Sequence, residues 1–404
     1  MTTALSSLAQ LKPNPHWAKL PLFNRKNWSR LRFGDIVENV NERVEPSMAA
    51  EAIYVGLDDL DSGSLHIRRW GKGSDVIGTK LGFRKGDVIF GRRRAYQRKL
   101  AVAEMDGICS AHAMVARARP KVILPEFLPF LMMSDKFMNR AVDISVGSLS
   151  PTINWTTLKL EEFDLPPLDQ QRRIAEILWA VDEVIEKWLN TLKVAKETCE
   201  AYTDSAFHEV NITEGQNGVP TKRLGDAFKI RTGGTPSRAN PQFWGGSVPW
   251  VKTGEVKYED IYDTEEKITE LGYENSAAKL IPKDSVLMAL YGQGPTLGRV
   301  AQLRVEATVN QACAAIFPSP DFNMRYLYYY LARQYANIRR LARGASQPNI
   351  NALIVKDFVV PAPTLDEQNA VAADLAKHEQ AQKKICDFID QNRKLMIELT
   401  NALL

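Results

Sequence analysis

The chain has 404 residues, 45% of them hydrophobic and 25% charged, with a formal net charge of +4. That length exceeds one ordinary core, so two or three domains are expected, and the balance is that of a globular protein, not a disordered, collagen-like or disulfide-scaffold chain. No apolar run approaches the ~18 residues of a membrane span, and residues 1–11 lack the basic and apolar regions of a signal peptide, so a cytoplasmic protein is expected. From the N-terminus, residues 1–27 form an extension without counterpart elsewhere in the chain. Gly34-Asp35 opens a mixed unit over 28–167. Within it Asp87-Val-Ile-Phe90 reads as a buried strand. The densest basic run follows, with Arg92, Arg93, Arg94, Tyr96, Arg98 and Lys99, and then the apolar Leu100-Ala-Val-Ala103, which makes the run a loop between strands. Residues 125–140 read as a helix. The element Gly147-Ser-Leu-Ser-Pro-Thr-Ile-Asn154 and a Pro-Pro break close the unit.

Residues 168–210 contain neither Gly nor Pro before position 211. Ile174, Leu178, Val181, Ile185, Trp188, Leu192, Ala195, Cys199, Tyr202 and Ala206 are spaced alternately four and three, the heptad seam of a coiled coil. The same order then recurs. Leu168, Asp169, Gln171, Ala175 and Leu178 match Leu365, Asp366, Gln368, Ala372 and Leu375 at an offset of 197. The offset also aligns Gly147, Pro151, Ile153 and Asn154 with Gly344, Pro348, Ile350 and Asn351. Upstream, Gly34-Asp35 resembles Gly225-Asp226, and Lys85-Gly-Asp-Val-Ile89 resembles Lys283-Asp-Ser-Val-Leu287. The second mixed unit is 211–364, with a strand at 285–290, the counterpart loop carrying Tyr291, Gln293 and Arg299, and a helix over 323–341. Thr364-Leu-Asp-Glu367 is a capping box that starts the second long helix, 365–404. Its seam is Val371, Leu375, His378, Gln382, Ile385, Ile389, Asn392, Met396, Leu399 and Leu403, polar at three places. A helix of ~40 residues is about 60 Å long, so two such helices with matching seams most simply pack on each other.

The repeat redistributes the charge. Residues 1–167 carry +6 and 211–364 carry +4, whereas 168–210 carry −4 and 365–404 carry −2. Two basic units joined by acidic rods suit a polyanion touched at two places. Arginines fork to phosphates or guanine edges, and Tyr96 can stack on a base.

No catalytic constellation emerges. Asp164-Leu-Pro-Pro is a structural break before a helix, and its copy at 360–364 has no acid. Gly292, Gly294 and Gly298 miss the dinucleotide-binding spacing, and no Gly-Lys-Ser/Thr phosphate loop is present. The five histidines are scattered, and His112 reads as a core histidine. Cys109, Cys199, Cys313 and Cys386 have no zinc-site spacing and read as buried free thiols. A repeated architecture without a repeated acid, base or ligand points to binding.

At this point the chain resembles the specificity subunits of type I restriction–modification systems. The resemblance runs from about residue 31 to 404. It is carried by the Leu-Asp-Gln/Glu-Gln opening of each long helix and by the Gly-x-x-x-Pro-x-Ile-Asn element before it. The third carrier is Thr232-Gly-Gly-Thr-Pro-Ser-Arg-Ala-Asn-Pro-Gln-Phe-Trp-Gly-Gly-Ser-Val-Pro-Trp-Val251. The fold implied is α/β (α+β): two globular target-recognition domains in tandem pseudo-repeat, separated by two long antiparallel coiled-coil helices. Each domain would read one half of an asymmetric bipartite site in double-stranded DNA, with Thr235, Ser237, Arg238 and Lys252 joining the two loops as candidate contacts. The helices would set the unread spacer, at most ~17–18 base pairs for a ~60 Å rod, and dock two modification subunits. S-adenosylmethionine, ATP and Mg are expected on partner subunits, modification and restriction alike, with no catalysis, cofactor or metal in this chain. The alternative is the recognition subunit of a type IIB-like enzyme.

Overall fold

The computed structural model describes residues 21–207, 220–292, 294–342 and 349–404. They form two compact units: the first runs to Asn190 and takes in Asp387–Leu404, and the second is Thr191–Cys386.

In the first unit a four-stranded antiparallel sheet has the order Val37–Val40, Met114–Ala118, Val88–Phe90, Leu100–Val102. Side chains alternate across it. Val88, Phe90, Leu100, Met114 and Ala116 join a core with Phe33, Phe130 and Phe137. Ile89, Ala101 and Val115 join another with Phe83 and Cys109 from a mixed five-stranded sheet. Burial on both faces is why these strands read as continuous apolar runs. The second unit repeats the layering. Val286–Ala289, Val300–Leu303 and Cys313–Ile316 lie in a five-stranded sheet. Val286, Met288 and Val300 face Tyr326 and Leu327, whereas Leu287, Ala301 and Ala315 face a separate core. A three-stranded sheet in the order Glu266–Ile268, Trp244–Val251, Thr308–Val309 completes it.

The repeated Gly-Asp pair has a packing cause. Gly34 and Gly225 are each the second residue of a one-turn helix, Phe33–Ile36 and Leu224–Ala227. A Cβ at Gly34 would lie 3.0 Å from Lys159 Cβ, and one at Gly225 2.9 Å from Lys356 Cβ.

Several local expectations are corrected. The helix expected over 125–140 is two helices, Leu128–Met133 and Asp135–Asp143. Ser134 between them stops the first by donating to Leu131 O at 2.7 Å and caps the second by accepting from Phe137 N at 3.2 Å. The helix expected over 323–341 likewise breaks into Met324–Arg333 and Tyr335–Arg340. Cys109 and Cys313 are buried thiols, but Cys199 is half-buried and Cys386 exposed.

The long helices are Leu168–Phe207 and Leu365–Leu403; positions 208–210 of the expected first helix lie outside the described residues. The Thr364–Glu367 capping box is present, with Thr364 N donating to Glu367 Oε2 at 2.9 Å and Glu367 N to Thr364 Oγ1 at 3.4 Å. The repeated glutamines tie each helix start to its own unit. Gln171 donates to Pro166 O and Val122 O at 2.9 and 3.0 Å and accepts from Leu124 N at 2.9 Å. Gln368 donates to Pro363 O at 2.9 Å and accepts from Asn323 N at 2.9 Å.

Every seam position from Ile174 to Ala206, and from Val371 to Leu403, is buried or half-buried. The helices run antiparallel in each unit. In the first, Ile174 and Leu178 share a core with Met396, Leu399 and Leu403, and the Trp188 and Phe388 rings stack at 5.1 Å. In the second, Gln382 donates to Ala195 O at 3.3 Å and Tyr202 donates to Asp374 at 3.2 Å. The other polar seam positions also have neighbours: His378 lies against the Tyr202 ring at 5.6 Å and Asn392 donates to Phe388 O at 2.8 Å. Of the N-terminal extension, residues 21–27 are described. Leu22 and Phe23 pack on the first core, and Gln170 of the first long helix donates to Leu22 O at 2.7 Å.

An ionic clamp holds the first unit's globular part to its helix. His66 bonds Asp182 at 2.6 Å and Glu104 at 3.0 Å, and Arg68 pairs with Glu186. The Asp182 carboxylate, against the opposing effect of burial, raises the His66 pKa to about 9. Its stabilisation is therefore full below about pH 6.5, the free-histidine value, and is lost as pH rises towards 9. Denaturant unfolding of wild type and His66→Gln is expected to differ most near pH 6 and to converge by pH 9.5; a constant gap across that range would rule the clamp out.

Candidate nucleic-acid interface

The basic run 92–99 connects Val88–Phe90 to its antiparallel neighbour Leu100–Val102. A single 3-10 turn, Ala95–Gln97, sits at its centre, with buried Ala95 as a peg. Arg94 and Arg98 flank it in the left-handed region, φ 56° and 50°, a conformation that non-glycine residues keep only when the surroundings hold it. Arg94 N donates to Pro151 O at 2.8 Å, and Ser62 Oγ to Gln97 O at 2.7 Å. Arg98 pairs with Asp135, whose carboxylate also accepts from Asn401 Nδ2 at 2.6 Å. Lys99 donates to Leu57 O at 2.8 Å.

The run therefore divides. Arg98 and Lys99 hold the loop in shape. Among the described residues, no hydrogen bond or ion pair engages the side chains of Arg93, Arg94 or Tyr96, and Tyr96 is 57% exposed. Arg92 stands between these groups: one guanidinium NH2 donates to Ala111 O at 3.2 Å, while its buried Nε has no partner.

The hairpin 146–152 braces the loop. Thr152 bridges to Val146 and Arg93, and Ile153 N donates to Arg92 O at 3.0 Å. This is the Gly-x-x-x-Pro-x-Ile-Asn element. In the second unit Ile350 N donates to Leu290 O at 2.8 Å, so the element keeps its station, although 343–348 lie outside the described residues. Sequence spacing marked the recurrence but not its role, because the pairing spans about sixty residues.

The second loop occupies the equivalent place. Phe90 pairs with Leu100 in the first unit, and Met288 with Val300 in the second. Gly292, Gly294 and Gly298 all have positive φ, so this loop turns on glycine. Tyr335 donates to Pro295 O at 2.7 Å and Arg339 to Gly294 O at 2.9 Å. Tyr291 is exposed, and the Arg299 guanidinium lies 5.9 Å from the Tyr258 ring, its buried Nε without a partner. Gln293 lies outside the described residues.

The segment 232–251 is engaged internally. Arg238 stacks over Trp244 at 3.6 Å and Trp250 at 5.0 Å, and pairs with Glu266. That pairing, the largest cause, holds the Glu266 carboxyl below its ordinary range. Lys252 reaches Glu265 at 2.7 Å and Glu266 at 3.1 Å, and Thr235 bonds Gln311. Ser237 is exposed, and its carbonyl accepts from Trp244 Nε1 at 3.2 Å. His112 is not a core histidine: it is exposed in the turn before Met114–Ala118, because that turn leaves the sheet one residue ahead of buried Ala113. Among the described residues no cluster of three or more His, Cys, Asp or Glu side chains could hold a metal, and no helix is long and apolar enough to cross a membrane.

Two layered α/β units on paired long helices, each with a braced loop at the same station, define a duplicated binding scaffold. The family described as "Type I restriction modification DNA specificity domain" matches residues 71–194 and 217–404, and the chain belongs to it. The chain is similar to the EcoR124I/EcoR124II specificity subunit of Escherichia coli, 28% identical over 231 residues, covering 56% of this chain and 55% of that protein. It thus spans about half the length of that relative. It is also similar to the putative MjaX specificity subunit of Methanocaldococcus jannaschii, 23% identical over 402 residues, covering 93% and 91%. Among solved structures, a subunit of a type I R-M system, studied for its complex assembly and conformational transition, superposes with a TM-score of 0.61. It is 22% identical, covering 94% of this chain and 98% of that one, and shares the fold.

Proposed function

We propose that this chain is the non-catalytic DNA-specificity subunit of a type I restriction–modification complex. The observation that carries the proposal is the pairing of two unlike loops at one station of a duplicated scaffold, in a chain whose family membership spans both halves. The globular parts, 28–167 and 211–364, act as target-recognition domains for the halves of an asymmetric bipartite site. The first offers arginines and an aromatic, the second a glycine-turned loop with Tyr291, Gln293 and Arg299, so the halves differ in sequence. Direct contact falls to Arg92, Arg93, Arg94 and Tyr96 in the first loop. Arg98 and Lys99 shape that loop, while Thr235, Ser237, Arg238 and Lys252 form a second candidate surface whose charges are already paired. The long helices set the spacer and dock two modification subunits in the cytoplasm, with restriction subunits joining the complex. S-adenosylmethionine, ATP and Mg belong to those partners.

Selection from a random duplex library by the full chain with its modification subunits tests this. Two short specified blocks separated by an unread spacer are expected; enrichment of no sequence, or methyl transfer from labelled S-adenosylmethionine by the chain alone, would refute it. Arg93→Ala and Arg94→Ala are each expected to weaken binding. A phosphate contact would lower the salt slope by about one for every sequence. A base contact would relax one position by about 1–3 kcal/mol. Unchanged affinity in both variants would remove the loop from the interface.

A further inference from the structure

We infer that a cleft in the first unit, separate from the exposed tip of the basic loop, is a groove for the phosphates of the DNA backbone. The inference rests on the DNA-binding reading above and adds a site to it. The cleft has a volume of about 510 Å³ and is lined by Asn39, Asn41, Arg43, Lys80, Arg92 and His112, with Trp155 among the remaining residues. No Asp or Glu lines it. Thr79 at its edge donates to Glu45, which is not among the lining residues.

Among the described residues, no carboxylate pairs with these cations. Lys80 is 9% exposed and its ammonium is held by carbonyl oxygens, Gly78 O at 2.7 Å and Ile77 O. Among the described residues it has no carboxylate partner. Among the described residues the exposed Arg43 side chain makes no hydrogen bond or ion pair, and Arg92 presents the unpartnered Nε. The Asn39 and Asn41 side-chain amides are likewise uncommitted among the described residues. Folding has gathered three positive charges, from exposed Arg43, half-buried Arg92 and buried Lys80, around one cavity lined by no carboxylate. An anion in the cleft would meet the field of all three. The field also acts on His112: partial desolvation and then the charges of Arg93, Arg92 and Lys80 lower its pKa.

Phosphate suits this chemistry better than a base edge. Arginine forks match phosphate oxygens, and the amides and a neutral imidazole N–H can donate to the same oxygens. The cavity is larger than one phosphate and shares Arg92 with the recognition loop. A backbone strand lying in the cleft would therefore bring its neighbouring bases to Arg93 and Arg94. None of Asn39, Arg43, Lys80 or His112 stands out in the sequence, because they come from separate turns and edges.

The test compares Arg43→Gln with Arg94→Ala in the full chain with its modification subunits, using duplexes of selected and of scrambled sequence. The exposed Arg43 side chain has no partner among the described residues, so the variant retains the fold. Arg43→Gln is expected to weaken binding to both duplexes by the same factor, up to about tenfold at 0.1 M salt, and to lower the salt slope by about one. The selected sequence itself should not change. In the wild type, the His112 ring resonance should titrate at a higher pH once duplex is bound, because the phosphate offsets the cations. Unchanged affinity and slope for Arg43→Gln, while Arg94→Ala weakens binding, would overturn the cleft and leave the DNA reading standing. A change in base preference at one position would also overturn it. Absence of salt-sensitive binding by the wild type would overturn both.

Discussion

Replacing Gly233 by alanine is expected to unfold or displace the three-stranded sheet of the second unit. A Cβ at this position would sit 1.8 Å from Val309 O and 2.4 Å from Val309 C. Val309 is fully buried and lies in the strand Thr308–Val309, which runs parallel to Trp244–Val251. Gly234 N also donates to Val309 O at 2.9 Å, so the obstructing carbonyl is held from the glycine's own side. Nothing flexible can give way: the clash is with backbone, and relief means moving a paired strand. Overpacking costs about 1–3 kcal/mol, and the upper end is expected where backbone must move. Gly254→Ala is the comparison, since a Cβ there meets nothing within 4 Å and its φ is not left-handed; its effect should stay within about 0.5 kcal/mol. Denaturant unfolding followed by the fluorescence of the Trp244–Trp250 pair would measure both. Equal midpoints for wild type and Gly233→Ala would show that the close approach is not real. The result also bears on why the Thr-Gly-Gly-Thr-Pro-Ser stretch carries a family likeness. Its residues close a turn against a strand and seat Arg238 on two indoles, work that any recognition sequence would need.

The parts of this fold that were legible in the sequence are those with a period. The offset of 197, the heptad seam and the capping box depend on neighbours within a turn or two, or on one segment resembling another. The first unit's five-stranded sheet was not legible. Its strands Arg43–Val44 and Gly71–Lys72 have two residues each, and they gain their partners from far along the chain. A strand of two residues has no alternation to read. The helix break at Ser134 was missed for a related reason: serine is tolerated within a helix, and only its bonds to Leu131 and Phe137 make it a stop and a cap.

For the candidate interface the difficulty was charge. Counting lysines and arginines locates the run at 92–99, but it does not say which charges are spent. Arg98 is offset by Asp135, 37 residues on, and Lys252 and Arg238 by the glutamates at 265 and 266. Those pairings are tertiary. At the two surfaces argued above, Arg93 and Arg94 at the loop tip and Arg43 in the cleft have no partner among the described residues, and the last sits in an unremarkable stretch of sequence.

An aspartate at position 178 is expected to be among the most damaging single changes in the first unit, and an aspartate at 177 to be nearly silent. The two positions are adjacent on the same helix. Leu178 is fully buried among seam residues and domain residues, in one cluster with Ile174, Phe130, Leu403 and the flanking Met396 and Leu399. Ile177 is 39% exposed. Removing the leucine side chain from such a site costs about 2–5 kcal/mol, and the carboxylate adds an unpaired charge in an apolar surround, or else takes up a proton to avoid it. The sum is comparable with the stability of a whole domain. At 177 the carboxylate remains in water. Thermal unfolding by circular dichroism should therefore separate Leu178→Asp from Ile177→Asp by tens of degrees or by outright failure to fold. Salt-sensitive DNA binding should survive only in the latter. If the two variants melted together, the seam would be out of phase, and the assignment of Met396, Leu399 and Leu403 as its partners would fall with it. The comparison is sharp because the helix is equally helical at both positions, so propensity cancels and only the direction of the side chain is tested.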